Sequence, residues 1–221
     1  MKKILLSWSG GKDSAWALLE LRRQPEIEIV ALLTTFNEAF DRVAMHAVRS
    51  ELMRAQADAA GLPLWAVPLP WPCSNEQYEE RMAAVCARAR GEGITAVAFG
   101  DLFLEDVRAY RERQMAKAGL EPLFPLWAKP TPELAREMVA AGLRATLTCI
   151  DTEKLPAALA GREYDQELLA DFPPEADPCG ERGEFHSFVH TGPMLRRPIP
   201  VRRGEQRRDG RFIFTDLLPA E

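Results

Sequence analysis

The chain has 221 residues, 47% of them hydrophobic, enough for one compact domain of ordinary size plus a smaller appendage without a disulfide or metal staple. A net charge of −5 and a pI near 5.4 argue against an extended nucleic-acid surface, because neutralising phosphates takes clustered Lys and Arg. Four scattered cysteines, Cys73, Cys86, Cys149 and Cys179, include no Cys-x-x-Cys pair, so a zinc ribbon and a disulfide framework are excluded and reduced thiols are expected. Met1-Lys2-Lys3 opens like a signal peptide, but the apolar run stops at Leu6 and no later run reaches membrane-spanning length. A cytoplasmic protein without membrane contact is the expectation.

Strand-like and helix-like runs alternate over residues 1–150, which predicts an α/β domain: a Rossmann-like parallel sheet of about five strands wrapped by helices. A strand over 3–8 runs into Ser9-Gly10-Gly11-Lys12-Asp13-Ser14 and a helix over 14–22. A second strand covers 28–34, and a helix over 42–60 places Val48, Leu52, Ala55 and Ala59 on one apolar face. After a strand over 64–67, Pro68-Leu69-Pro70-Trp71-Pro72 reads as a loop barred from a sheet interior. Helices over 75–92, 105–118 and 131–141 then alternate with strands over 96–100 and 145–150. Beyond Asp151 the texture changes to prolines, glycines and short β-like pieces at 185–190 and 211–217, read as a smaller α+β lobe over 151–221 that serves the acceptor substrate.

The turn after the first strand has the makings of a phosphate cradle. Gly10 and Gly11 let backbone N–H groups approach an anion, the following helix points its positive end there, Lys12 adds a full charge, and Ser9 and Ser14 add hydroxyls. It is neither a Walker A loop nor a dinucleotide fingerprint. In an open parallel sheet the ligand lies at the carboxyl ends of the strands, which directs attention also to Thr34 and to Gly100-Asp101. Asp101 and Asp13 are candidate Mg²⁺ ligands, since hard cations take carboxylate oxygens; the alternatives are capping for Asp101 and a complement to its own helix dipole for Asp13.

Further on, Glu181, Glu184 and His186 place two acids and an imidazole within six residues, with Glu184 and His186 on one face of an extended stretch. Such a set suits holding ammonium or taking its proton; the competing reading is a surface turn with satisfied charges. Cys179, beside these acids, reads as an inert thiol. His46 reaches the nucleotide or is simply a helical surface histidine. Arg196, Arg197, Arg202, Arg203, Arg207, Arg208 and Arg211 crowd the last segment, either as a solvated β-hairpin or as a docking surface for RNA or an acidic partner.

The Ser-Gly-Gly-Lys-Asp-Ser run resembles the PP-loop of the N-type ATP pyrophosphatases, within the adenine nucleotide alpha hydrolase superfamily, where the loop holds departing pyrophosphate. Three further pieces narrow the resemblance: Asp101 followed by Arg108, Arg111 and Glu112; residues 119–127, Gly-Leu-Glu-Pro-Leu-Phe-Pro-Leu-Trp; and residues 177–189, Asp-Pro-Cys-Gly-Glu-Arg-Gly-Glu-Phe-His-Ser-Phe-Val. Together they look like the diphthine-ammonia ligase family over nearly the whole chain. The resemblance implies ATP and Mg²⁺, ammonium or an amine, and release of AMP and pyrophosphate. It implies diphthine on elongation factor 2 as acceptor in an archaeal chain, and another carboxylate-bearing acceptor in a bacterial one, toward which the Ala/Leu/Arg-rich composition leans. His186 departs from the Glu of eukaryotic members. The roles so expected are phosphate binding by Ser9 to Ser14, Thr34 and Gly100, and catalysis by Lys12, Asp101, Glu181, Glu184 and His186. A homodimer is one expectation for assembly. The alternatives are a PP-loop tRNA-modifying enzyme, disfavoured by net charge and unpaired cysteines, and an adenine nucleotide hydrolase or binding module.

Overall fold

The strands sort into two sheets that meet at the glycine loop. The computed structural model describes residues 1–43 and 48–220, so His46 lies outside the described residues. In the first sheet, β1 (Lys2–Ser7) and β2 (Ile27–Asn37) pair in parallel, and β3 (Arg42–Val43) closes a hairpin on the end of β2. Adding β4 (Leu64–Leu69), β5 (Ala96–Ala98) and β6 (Glu121–Leu123) gives parallel strands in the order β4-β2-β1-β5-β6. Strand order therefore reverses between β1 and β5, the place where an open α/β sheet offers its ligand crevice. Helices α1 (Lys12–Arg22), α2 (Ser50–Ala60), α3 (Asn75–Gly91), α4 (Glu105–Ala118) and α5 (Thr131–Ala140) connect these strands and lead on to the second sheet.

The second sheet is antiparallel. β7 (Arg144–Asp151), β8 (Phe185–Thr191), β9 (Val201–Asp209) and β10 (Phe212–Pro219) lie in the order β8-β7-β10-β9, with the short helix α6 (Gln166–Ala170) between β7 and β8 in sequence. The strand expected over 145–150 thus exists but belongs to this sheet, and the fifth parallel strand is β6. Every residue from Ala145 to Asp151 is buried, and a run buried on both faces has no alternation that would assign it to one sheet or the other.

Two further boundaries moved for identifiable reasons. The helix expected from residue 42 begins at Ser50, because Arg42 and Val43 pair instead with Asn37 and Phe36. Pro68 and Leu69 extend β4; among the described residues β4 pairs only with β2, so Pro68 needs no donor on the outer side of this edge strand. At α3, the Ser74 hydroxyl accepts from Gln77 N and the Gln77 side chain accepts from Ser74 N, a capping box that fixes the helix start.

Two cores flank the first sheet. One gathers Ile4, Leu6 and Trp8 of the β1 strand and its end with Trp16, Leu18, Leu52 and Met53, and continues into the second sheet through Leu147 and Phe188. The other, smaller core joins Leu5, Leu33, Val97 and Phe99 to Cys86 and Met115 of α3 and α4.

Candidate active site at the glycine loop

The loop between β1 and α1 is held in a shape that only its own residues permit. Gly10 has φ +80°, and a Cβ there would stand 2.7 Å from Met53 Sδ and 3.0 Å from Gln56 Oε1. Gly11, which precedes α1, has no side chain to cap it; Lys12 N goes to Ser187 Oγ, and the positive end of the helix still points into the loop. Gly100 is required by the loop itself: a Cβ would meet Asp13 C and Ser14 N at 3.0 Å, so the end of β5 presses on the loop backbone and brings Asp101 alongside. Ser9 Oγ and Ser14 Oγ are 3.2 Å apart, and Ser14 Oγ donates to Gly11 O at 2.9 Å. Thr34 donates to Trp8 O at 2.6 Å, fastening the ends of β1 and β2.

Lys12 is 2% exposed, yet its ammonium donates to both Asp13 oxygens, at 3.0 and 2.8 Å, and to Cys179 O. Burial pushes its pKa down; Asp13 together with Cys179 and Asp177 pushes it up and prevails, so the amine is held charged. The Phe185 ring covers it, with Nζ 5.0 Å from the centroid. All three ammonium hydrogens are thus committed, two of them to an anion.

The second sheet stitches itself onto this loop. Gly10 O accepts from Val189 N at 3.0 Å and from Gln56 Nε2 at 2.9 Å, while the same amide donates to Val189 O at 2.6 Å and accepts from Trp8 Nε1 at 2.8 Å. Lys12 N donates to Ser187 Oγ at 3.2 Å. Asp177 organises the acidic turn by accepting from Cys179 N and Glu181 N, each at 3.0 Å, and its own N–H donates to Glu184 Oε1 at 3.1 Å.

The acids of that turn have separate surroundings. Glu181 Oε1 accepts from Leu102 N at 2.8 Å and Phe103 N at 3.4 Å, bridging to the segment just after Asp101; burial pushes its pKa up to about 7 against the pull of these N–H groups. Glu184 is 3% exposed and braces the turn, with Oε2 buried and, among the described residues, without a hydrogen bond. Burial, aided by the Lys12 charge, lowers His186 to about 4, so the imidazole is neutral at physiological pH and a weak proton acceptor. Burial pushes the Cys179 thiol well above its ordinary range, and its carbonyl is the group in use.

Asp101 faces Arg111 in an ion pair of 3.5 Å, and the Arg111 guanidinium lies 4.8 Å above the Phe99 ring. Among the described residues no group of three His, Cys, Asp or Glu is placed to hold a metal. Both Asp13 oxygens are taken by Lys12, whereas Asp101 Oδ2 has, among the described residues, only the 3.5 Å ion pair with Arg111, so Asp101 is the less committed of the two acids toward a hard cation.

From Ser7, Trp8, Ser9, Thr34 and Thr35 a cavity of ≈ 590 Å³ extends along the sheet between α3 and α4. Leu5, Leu33, Val97 and Phe99 form its floor, and Tyr78, Met82, Tyr110, Arg111 and Met115 its walls. Its volume falls in the range of small-molecule sites. The structure therefore gathers Gly100, Asp101 and Glu181 beside the loop of Ser9 to Ser14, with Ser9 and Thr34 also lining the cavity, while Glu184 and His186 stand in the packed turn and strand behind Lys12. Gln56, Asp177, Ser187 and Arg111 were not singled out as site residues. Arg111, Asp177 and Ser187 lay within the pieces that carry the family resemblance, and Gln56 left a signal of its own: a polar side chain at the buried register of α2, four residues after Leu52 and three after Met53.

A parallel sheet with order reversal at β1 and β5, and a Gly-Gly-Lys loop at that reversal, define a Rossmann-like α/β protein of the PP-loop type. The profile of the diphthamide synthase N-terminal domain matches residues 1–122 and that of the diphthamide synthase C-terminal domain residues 130–217, so the chain belongs to the diphthamide synthase family. It is similar to the diphthine–ammonia ligase of Mus musculus, 23% identical over 226 residues covering 89% of this chain and 82% of the relative. That of Danio rerio is 25% identical over 216 residues, covering 87% and 84%. With that of Schizosaccharomyces pombe the identity is 26% over 216 residues, covering 89% of this chain and 36% of the longer relative. Among the described residues no helix is long and apolar enough to cross a membrane.

Proposed function

We propose that the chain is an ATP-dependent carbon–nitrogen ligase that adenylates a carboxylate and then transfers ammonia to it. The observation that carries this reading is Lys12, charged, buried and bonded to an anion at the uncapped start of α1. In the proposed complex the ATP phosphates lie on residues 9–14 and replace Asp13 as an anionic partner of Lys12. The nucleoside lies against Trp8, Thr34 and Thr35 in the mouth of the cavity. Mg²⁺, brought with ATP, would be held by the phosphates and Asp101, where it supplies positive charge; Lys12 and the loop N–H groups supply theirs independently.

The acceptor carboxylate oxygen attacks the α-phosphorus, the bond to the β-phosphate bridging oxygen breaks, and pyrophosphate leaves. Donors fixed in advance stabilise the charge that builds on the departing oxygens. Ammonia then attacks the acyl carbon and AMP departs with its bonding pair. The proton released needs an acceptor, and Glu181, with a pKa of about 7 beside Asp101, suits that task better than His186 at about 4. Glu184 we assign to positioning the turn through Asp177. By its likeness to the diphthine–ammonia ligases, the proposed acceptor is diphthine or a related carboxylate, served by the β8 side of the second sheet, which meets the loop. Chromatography of the products decides the reaction class. AMP and pyrophosphate, formed faster with ammonium and acceptor present, are expected; accumulation of ADP with inorganic phosphate would end the proposal.

A further inference from the structure

β9 ends the second sheet. It pairs with β10 alone, and among the described residues no backbone hydrogen bond leaves its outer edge. Along it Arg202, Arg203 and Arg207 are exposed, and among the described residues none of the three has an ion pair or side-chain hydrogen bond. Elsewhere Arg42 and Arg49 share Asp216, Arg88 takes Glu92 and Arg162 takes Asp171. The segment 196–211 holds seven arginines against two carboxylates, although the whole chain has a net charge of −5. The positive field is therefore local to this ribbon, and nothing in the proposed ATP chemistry uses it.

We infer that β9 is a docking strand for an acidic, extended segment of a partner protein, which adds to the edge of the second sheet. A free strand edge presents alternating N–H and C=O groups that another peptide strand matches, and the arginines then select a partner of negative charge. RNA fits less well, because the strand sequence, Val-Arg-Arg-Gly-Glu-Gln-Arg-Arg-Asp, has no aromatic ring on which a base could stack, and the N–H and C=O groups of a free strand edge are matched by a peptide backbone and not by phosphates. The same arginines keep a second copy of β9 away by like-charge repulsion, so the edge stays open to acidic strands and closed to itself.

Fluorescence anisotropy of the full chain with labelled probes tests this, and requires no ATP turnover. A peptide of alternating glutamate and valine should bind, weaken as salt rises, and bind more tightly than a peptide of alternating lysine and valine. The triple variant Arg202→Ser, Arg203→Ser, Arg207→Ser, with its folding checked by circular dichroism, should lose affinity by about tenfold, the sum of a few exposed charge pairs, while wild-type nucleotide turnover persists. N-methylation of alternate backbone nitrogens in the peptide should abolish binding by removing the strand contacts. Equal binding of acidic and basic peptides, indifference to the triple substitution, or indifference to N-methylation would each overturn the inference. So would a labelled uridine oligonucleotide that binds more tightly than the acidic peptide and is released by the same triple substitution.

Discussion

On one face of the parallel sheet Trp16 and Leu18 of α1 and Leu52 and Met53 of α2 are fully buried; on the other, Tyr78, Met82 and Tyr110 stand half-buried around a cavity of ≈ 590 Å³. The strands between the two faces are the same, so the difference comes from what packs on them. α1 and α2 are covered in turn by the second sheet, which reaches the loop through Val189 and Ser187. α3 has only Cys86 and Ala89 fully buried, and α4 only Met115. Stability and ligand space are therefore separated across one sheet, and substitutions on the two faces should have different consequences.

The largest expected effect tests that separation directly. Trp16→Ala should cost about 3–5 kcal/mol in denaturant unfolding, the range for emptying a large aromatic from a packed core. Met82→Ala on the open face should cost under about 1 kcal/mol and register in nucleotide affinity instead. Equal losses of stability would mean that the groove between α3 and α4 is ordinary core.

Next comes the loop, where both faces meet. Lys12→Ala should lower nucleotide turnover by about a hundred- to thousandfold, or roughly 3–4 kcal/mol of barrier, as for loss of a fixed donor to developing negative charge. Steady-state AMP release measures it; a folded variant with undiminished turnover would remove Lys12 from the chemistry.

Gln56→Ala sharpens the comparison at a smaller scale. It strips partners from Trp8 Nε1, Gly10 O and Val189 O in a fully buried place, so a loss of about 1–3 kcal/mol is expected. Hydrogen exchange should quicken at Val189 N, which donates to Gly10 O, if the amide pins the second sheet to the loop. Unchanged exchange there would show that the sheets hold the loop without Gln56.

The smallest effects lie in pH dependence, where two groups oppose each other. Glu181 is raised from 4.5 to about 7, so the folded state binds its proton more tightly and this contribution to stability falls as pH rises through that window. His186 is lowered from 6.5 to about 4, so the unfolded state binds its proton more tightly and this contribution is lost as pH falls below 6.5. The slopes have opposite sign over roughly pH 4.5–6.5. Glu181→Gln should therefore leave a chain whose stability rises with pH there, and His186→Asn one whose stability falls. Thermal unfolding across that range separates them, and parallel curves for the two variants would contradict the assignments.

Much of the site was legible because its residues are contiguous and their chemistry is local. Ser9 to Ser14 bridge the end of a strand and the first turn of a helix, and Gly100-Asp101 follow shortly after the end of a strand. The arginine ribbon was legible as a hairpin for the same reason: alternating charge with a Gly210 turn needs no distant partner to exist. Gln56 and Ser187 were not, since each matters through contacts with chain far away in sequence, such as the Ser187 hydroxyl on Lys12 N; Asp177 works within its own turn, accepting from Cys179 N and Glu181 N, and its role emerges only once that turn is folded.

The sequence by itself determined the alternation of most strands and helices, the position of the glycine loop between a strand and a helix, and the class of protein, because strand and helix periodicity, glycine placement and charge act over a few residues. Only the tertiary structure decided that the strand Arg144–Asp151 joins the antiparallel sheet, that Gly100 yields to the loop backbone, and that Glu181 and His186 have shifted in opposite directions. Sheet membership depends on which backbone edge a buried strand meets, and burial moves a pKa only after distant segments have excluded water from the group. Neither is encoded in any stretch of chain read alone.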